Sequence, residues 1–285
     1  MNLDRDFITS ALDFYGIADE QYRNRCLDAA SAAEKDAALY QRSLEVFNTL
    51  YYGHDDDRYA VRKKTPDALF GAGTPEVMTS VIVLAGVDIH KANMERFGLD
   101  EEQIQKHIMR VNGVLTDDLR TRKKGYIRPS QMQWGTNFSL VKLIELGRLQ
   151  FERWPEKPGI VNMHIPAGGP LTREAVFEAV ALSKTELERY FGIKDARYEC
   201  ESWLLSSEVR EIAGDGSNIA AFCDMFSSHP FDDATEEILD YIWDMDECDD
   251  FSLLPENTSL QRKMKKALMS GKPMFTGEGV FIETV

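Results

Sequence analysis

His164 stands two residues before a loop of Pro166, Ala167, Gly168, Gly169 and Pro170, and further along the chain Cys200, Glu201, Ser202 and Trp203 follow one another. Imidazole and buried carboxylate are groups whose pKa values can be brought near neutrality, so His164 and Glu201 are candidate general bases. Ser202 adds a hydroxyl beside them. Ile160 to Glu174 reads as a strand, a glycine-containing loop and a helix start, an order that can hold an anion because free backbone N–H groups and the helix dipole converge there. No Gly-Lys-Ser/Thr follows, so it is not a P-loop, and the three-glycine dinucleotide fingerprint is also missing. A plain turn accounts for the loop equally well. A single histidine among apolar neighbours is commonly a hydrogen-bonded core residue. Strand alternation sends Cys200 and Ser202 to one face and Glu201 and Trp203 to the other, so the four cannot all serve one site.

Three other clusters carry charge. His54 with Asp55, Asp56 and Asp57 could hold a divalent cation, but consecutive acids after Gly53 read first as a solvated turn. Asp244 to Asp250 begins like a calcium loop, yet Asp249 occupies the position that needs glycine and Pro255 the position that needs glutamate. Arg120, Arg122, Lys123, Lys124 and Arg128 form a basic run, either a solvated linker or a contact for phosphates. Cys26, Cys200, Cys223 and Cys248 contain no C-x-x-C pair, so neither a zinc cage nor a disulfide framework is expected, and no metal.

The elements that would position these residues divide the chain in two. From Asp6 to Gly53 apolar residues recur at helical spacing, as in Tyr40, Leu44, Phe47, Leu50 and Tyr51. Thr74, Pro75 and Glu76 predict a helix start, with Gly98 as its stop. Asp100 with Gln103, and Leu99 with Ile104, predict a capped and stapled helix from Glu101 toward Leu119. Between Thr121 and Gly135 the periodicity fails, which places a helical domain at 1–135 and an α/β domain at 136–285.

In that second part strands are expected at Leu149 to Trp154, Gly159 to Ile165, Tyr198 to Leu205, within Thr235 to Trp243, and at Gly279 to Thr284. Thr172, stapled by Leu171 and Val176, caps a helix that places Phe177, Val180, Leu187 and Phe191 inward and ends at Gly192. Ser207, Ser217 and the Thr258/Gln261 box start further helices. Interleaved strands and helices imply crossovers and a partly parallel sheet, α/β in this part and α+β overall.

The totals bound the function. Two domains fit 285 residues and a 43% hydrophobic composition. A net charge of -15 repels phosphate backbones and anionic lipid, which argues against nucleic acid and membrane as partners. The longest apolar run, Val81 to Val87, is far short of the roughly 20 residues that span a bilayer. Together with the unpaired cysteines this points to the cytoplasm.

Leu146-Gly-Arg-Leu-Gln-Phe-Glu152, His164-Ile-Pro166, Cys200-Glu-Ser-Trp-Leu-Leu205, Ser217-Asn-Ile219 and Asn257-Thr-Ser-Leu-Gln-Arg262 resemble segments of bacterial acyltransferase-domain proteins. Those proteins pair a helical N-terminal domain with a GNAT-like C-terminal domain. The resemblance implies acyl transfer from acetyl-CoA or another acyl-CoA to a small-molecule or peptide amine. Ile165, Ala167, Gly168, Gly169, Leu171 and Thr172 would then meet the coenzyme, with Asn218 beside them, and the Tyr198 to Leu205 strand would splay away to admit the pantetheine arm. His164, Glu201 or Ser202 would move protons. The sequence departs from the family in two respects: Pro166 and Pro170 remove N–H donors from the phosphate loop, and Met225 stands where many members carry the tyrosine that protonates the departing thiolate. A module that binds without catalysing is the alternative these departures leave open.

Overall fold

The computed structural model describes residues 1–121 and 125–282 and resolves the chain into two compact units, Met1–Leu143 and Ile144–Val285. The basic residues Arg122, Lys123 and Lys124, and Thr284 of the expected last strand, lie outside the described residues. The first unit extends past the expected change at residue 135, because the helix Pro129–Ser139 packs onto the helices before it.

The first unit is helical: α1 (Arg5–Phe14), α2 (Glu20–Lys35), α3 (Ala37–Tyr52), α4 (Asp55–Val61), α5 (Pro66–Phe70), α6 (Met78–Ala85), α7 (Val87–Arg96), α8 (Glu101–Arg120) and α9 (Pro129–Ser139). Aspartates open several of them. Asp4, Asp19 and Asp100 each accept hydrogen bonds from first-turn N–H groups, and Asp36 both ends α2 and caps α3. Every residue of α6 is buried, and α1, α2, α3 and α9 pack around it. The apolar run at Val81 is thus the centre of a helical core, and no helix among the described residues is long and apolar enough to cross a membrane.

The single helix expected from Thr74 to Gly98 is two. Thr74 donates its hydroxyl to the Phe70 carbonyl at 3.0 Å instead of capping, and α6 begins only at Met78. The break falls at Gly86, where any side chain would overlap the Tyr51 ring, so glycine admits the close approach of α3 and the chain turns there. Gly98 does end α7 in the left-handed region, with φ +61°. The acids after His54 open α4 rather than a turn. Asp55, Asp56 and Asp57 occupy its first turn, where the helix dipole favours negative charge, and Asp55 pairs with Arg58 and Lys142.

From β1 (Leu143–Leu146), whose first residue closes the first unit, the second unit continues with β2 (Leu149–Arg153), β3 (Ile160–His164), α10 (Arg173–Phe191), β4 (Arg197–Ser202), a 3-10 turn at Trp203–Leu205, α11 (Ser207–Ala213), α12 (Asn218–Cys223), β5 (Phe226–Asp233), α13 (Thr235–Trp243), α14 (Ser259–Met269) and β6 (Phe275–Phe281). The described strands form one mixed sheet in the order β1-β2-β3-β4-β6-β5. β3 and β4 run parallel through the α10 crossover, and β2–β3, β4–β6 and β5–β6 are antiparallel.

Two expectations fail here. Thr235 to Trp243 is a helix, since Ile238, Leu239 and Trp243 fall on one buried helical face and Glu236 and Glu237 suit its first turn. The strand is instead Phe226–Asp233, which is exposed along nearly its whole length and so lacks a burial pattern. The strand expected as far as Leu205 also stops at Ser202, whose hydroxyl accepts from Leu204 N–H at 3.2 Å and turns the chain.

Register gives the sheet two unlike faces. Phe151 pairs with Met163 and Val161 with Tyr198, which aligns these with Cys200 on the apolar face. The buried Val176, Ala179, Val180 and Leu187 of α10 belong to the layer on that side, with Ser183 bonded to the Tyr198 hydroxyl at 2.7 Å. Phe177 and Phe191 are only half-buried, while Tyr190 is buried in their stead. The opposite face carries Gln150, Glu152, Asn162, His164, Glu199, Glu201 and Glu278 by the same pairings.

Candidate active site

β3 and β4 are hydrogen-bonded at Ile160↔Arg197, Val161↔Tyr198 and Asn162↔Glu199, and there the ladder between them ends although both strands continue. Beyond that point β4 stays paired with β6, from Glu199↔Val280 to Ser202↔Gly277. The sheet therefore opens between His164 on one side and Glu201 on the other, which the interrupted register would have brought level. A gap at mid-sheet, at the carboxyl ends of two parallel strands, is where open α/β sheets accept ligands.

His164 and Glu201 share the polar face. Glu201 is exposed, and His164 is held by a residue that the sequence reading passed over: its Nε2 lies 2.8 Å from Oε2 of Glu152, with the two side chains 29% and 10% exposed. Glu152 reaches it diagonally, since His164 pairs directly with Gln150 and Glu152 with Asn162. Gln150 is itself anchored, donating to Glu145 at 2.8 Å. Only the alternation and hairpin spacing of Leu146 to Arg153 could have signalled this neighbour.

Ser202 does not join them. It sits on the apolar face, is buried, and its hydroxyl serves the 3-10 turn. Cys200 is on the same side, and burial, reinforced by Glu237 and Glu201, pushes its thiol far above the ordinary range. It is inert as a nucleophile at neutral pH.

The loop after β3 is exposed from Ala167 to Pro170 and passes through the left-handed region at Gly168 and Gly169, with φ +104° and +61°, so both positions require glycine. The Arg148 guanidinium, on the β1–β2 hairpin, donates to the Pro166 carbonyl at 2.6 Å and lies beside Gly169. Leu171 and Val176 are buried as the expected staple, and Thr172 caps α10 by accepting from Ala175 N–H at 3.3 Å. The roughly five turns of α10 beyond the loop give a dipole that attracts an anion at this end, to which Arg173 in the first turn adds charge. Asn218 is exposed at the start of α12, one residue after the Ser217 cap. Met225 is fully buried where β5 begins. Among the described residues no group of His, Cys, Asp and Glu has the grouping to hold a metal ion.

A mixed sheet that parts between two parallel strands, with a glycine loop and a long helix following the first of them, defines a GNAT-like domain joined to a helical N-terminal part. Residues 143–281 match the GNAT-like C-terminal domain family. No curated protein matches the chain by sequence. Among solved structures, an acyltransferase in complex with decanoyl-CoA and teicoplanin is 20% identical with a TM-score of 0.76, covering 96% of this chain and 86% of that one. A mutant acyltransferase in complex with octanoyl-CoA is 20% identical with a TM-score of 0.78, covering 96% and 87%. A third, an acyltransferase with CoA and 10C-teicoplanin, is 19% identical with a TM-score of 0.76, covering 97% and 87%. At these identities the likeness is one of fold, and it extends through both units.

Proposed function

We propose that this protein is an acyl-CoA-dependent N-acyltransferase whose second unit binds the thioester in the gap between β3 and β4. The observation that carries the reading is the ladder ending at Asn162/Glu199 with His164 and its partner Glu152 at the rim. The backbone around Ile165 would polarise the thioester carbonyl, and Ala167, Gly168, Gly169, Leu171 and Thr172 would receive the pyrophosphate, with Asn218 flanking it. The acceptor amine arrives protonated and becomes nucleophilic only after losing a proton. His164 takes a proton there, Glu201 faces it across the gap, and water rather than Ser202 returns one to the thiolate. Acyl-CoAs of octanoyl or decanoyl length and a small-molecule amine are the substrates we infer, because the acyltransferases of like fold were crystallised with such acyl-CoAs and with teicoplanin. The absence of cysteine pairs suits a cytoplasmic setting.

Titration of the full chain with acetyl-, octanoyl- and decanoyl-CoA in a calorimeter tests the reading, and binding of none of them would overturn it. A second reading, a module that binds without transfer, is favoured by the buried Met225 in place of the family's tyrosine. Steady release of free thiol with any member of an amine panel rules that second reading out.

A further inference from the structure

Which atom of His164 acts as base is decided by Glu152. A carboxylate oxygen accepts, so a hydrogen on the imidazole Nε2 completes the 2.8 Å contact with Glu152. A neutral ring with its hydrogen on Nε2 carries its lone pair on Nδ1. Glu152 stands on β2, one strand further from the gap than His164, so it acts through the imidazole and not on the substrate. The strands on which the pair stands are hydrogen-bonded to each other in register from Gln150↔His164 to Arg153↔Val161, so ring and carboxylate are carried by one rigid ladder. Gln150, opposite His164, is fixed by its bond to Glu145, and Asn162, Glu199 and Glu201 share the face on the neighbouring positions.

We propose that Glu152 is a positioning residue that holds His164 in the Nε2–H tautomer and thereby makes Nδ1 the proton acceptor of the transfer reaction, an inference that rests on the acyltransferase reading. In the step itself the amine lone pair attacks the thioester carbon and the N–C bond forms. The C–S bond breaks with its electron pair on the departing coenzyme thiolate. The proton shed by the new amide nitrogen goes to Nδ1 and passes from there through water to the thiolate, so His164 ends neutral and the coenzyme leaves as the free thiol. When Glu152 is replaced by glutamine, an amide that can donate as well as accept, the constraint on the tautomer is lost while the shape is kept.

The experiment uses the full chain labelled with 15N-histidine, with the His164→Gln variant assigning the signal, and compares the native protein with Glu152→Gln and Glu152→Asp. The native His164 is expected as the Nε2–H tautomer, and Glu152→Gln as a mixture of the two tautomers. With octanoyl-CoA and an accepted amine, Glu152→Gln is expected to lower kcat at least about tenfold with the acyl-CoA KM unchanged. Glu152→Asp, which retains the acceptor, should recover part of that loss. An Nδ1–H tautomer in the native protein, or full kcat in Glu152→Gln, would overturn the proposal. The spectroscopic measurement needs no acyl-CoA, so failure of the acyltransferase reading and failure of this inference are seen separately.

Discussion

Replacing Gly277 by alanine adds one methyl group at the place where β6 crosses the end of β4. Gly277 pairs with Ser202 in the ladder, and a Cβ there would meet the Leu205 carbonyl oxygen at 2.5 Å, its carbon at 2.6 Å and its Cβ at 2.7 Å. Two of these are backbone atoms of the 3-10 turn and cannot rotate away, so either β6 or the turn must move. Overpacking of this kind costs about 1–3 kcal/mol, against which the stiffer unfolded chain returns about 0.4–1 kcal/mol. The net expectation is a destabilisation of roughly 1–2 kcal/mol, or about 2–8 °C in the midpoint of the second unit. Gly113→Ala is the control. Gly113 is exposed within α8, with nothing inside 4 Å of an added Cβ, so alanine there should stabilise the first unit by about 0.5–1 kcal/mol. Scanning calorimetry of the full chain reads both transitions. The same displacement should weaken acyl-CoA binding, because Glu201, the residue before Ser202 on β4, borders the gap. A Gly277→Ala protein whose midpoint equals or exceeds the native one would refute the close approach between β6 and the turn.

Further expectations concern the helices, the core and the site. His90 is buried beside Tyr15, whose hydroxyl is 3.0 Å from its Nδ1, and its ring lies 5.7 Å from that of His107. Burial, and secondarily the charge of His107, hold His90 well below the ordinary imidazole value of about 6.5. In the window between that ordinary value and the lower folded one, the unfolded chain binds a proton that the folded chain does not. Stability is therefore complete above about pH 6.5 and falls as pH drops through the window, a slope that His90→Gln should reduce in denaturant titrations at several pH values. Thr258→Ala removes the 3.1 Å bond from Gln261 N–H to the Thr258 hydroxyl, leaving only the backbone half of the capping box, and should cost about 1 kcal/mol in the same assay. His164→Gln should lower turnover by about 100-fold or more while leaving calorimetric acyl-CoA affinity near the native value, and retained turnover would remove His164 from the reaction. Met225→Tyr should not raise turnover, since the side chain is enclosed in the core, and should destabilise by about 1–3 kcal/mol through overpacking.

The parts of this protein legible in the sequence are those decided within a few residues. Asp100, Thr172, Ser217 and Thr258 each accept the first-turn N–H that their position implied, and Gly192 closes α10 with φ +70°. Such caps depend only on local geometry, so the type of one or two residues suffices. Alternation also placed β2 and β3, although only β3 buries every other residue and β2 is buried on both faces as far as Glu152. Phe226–Asp233 was not legible, because its pairing with β6 is a long-range contact and its exposed residues carry no periodic mark. The apolar residues of Thr235–Trp243 suited either a strand or a helix, and packing chose.

The candidate site divides in the same way. Chain order alone put His164 before a glycine loop and a capped helix, and it put Glu201 on the far strand. Tertiary structure decided which groups meet. Antiparallel register brought Glu152 of one strand to the imidazole of the next, and alternation together with the 3-10 turn took Ser202 out of reach. The end of the β3–β4 ladder made the gap itself. Register is a relation between strands distant in the chain, set by which faces can be buried together, so no single segment contains it.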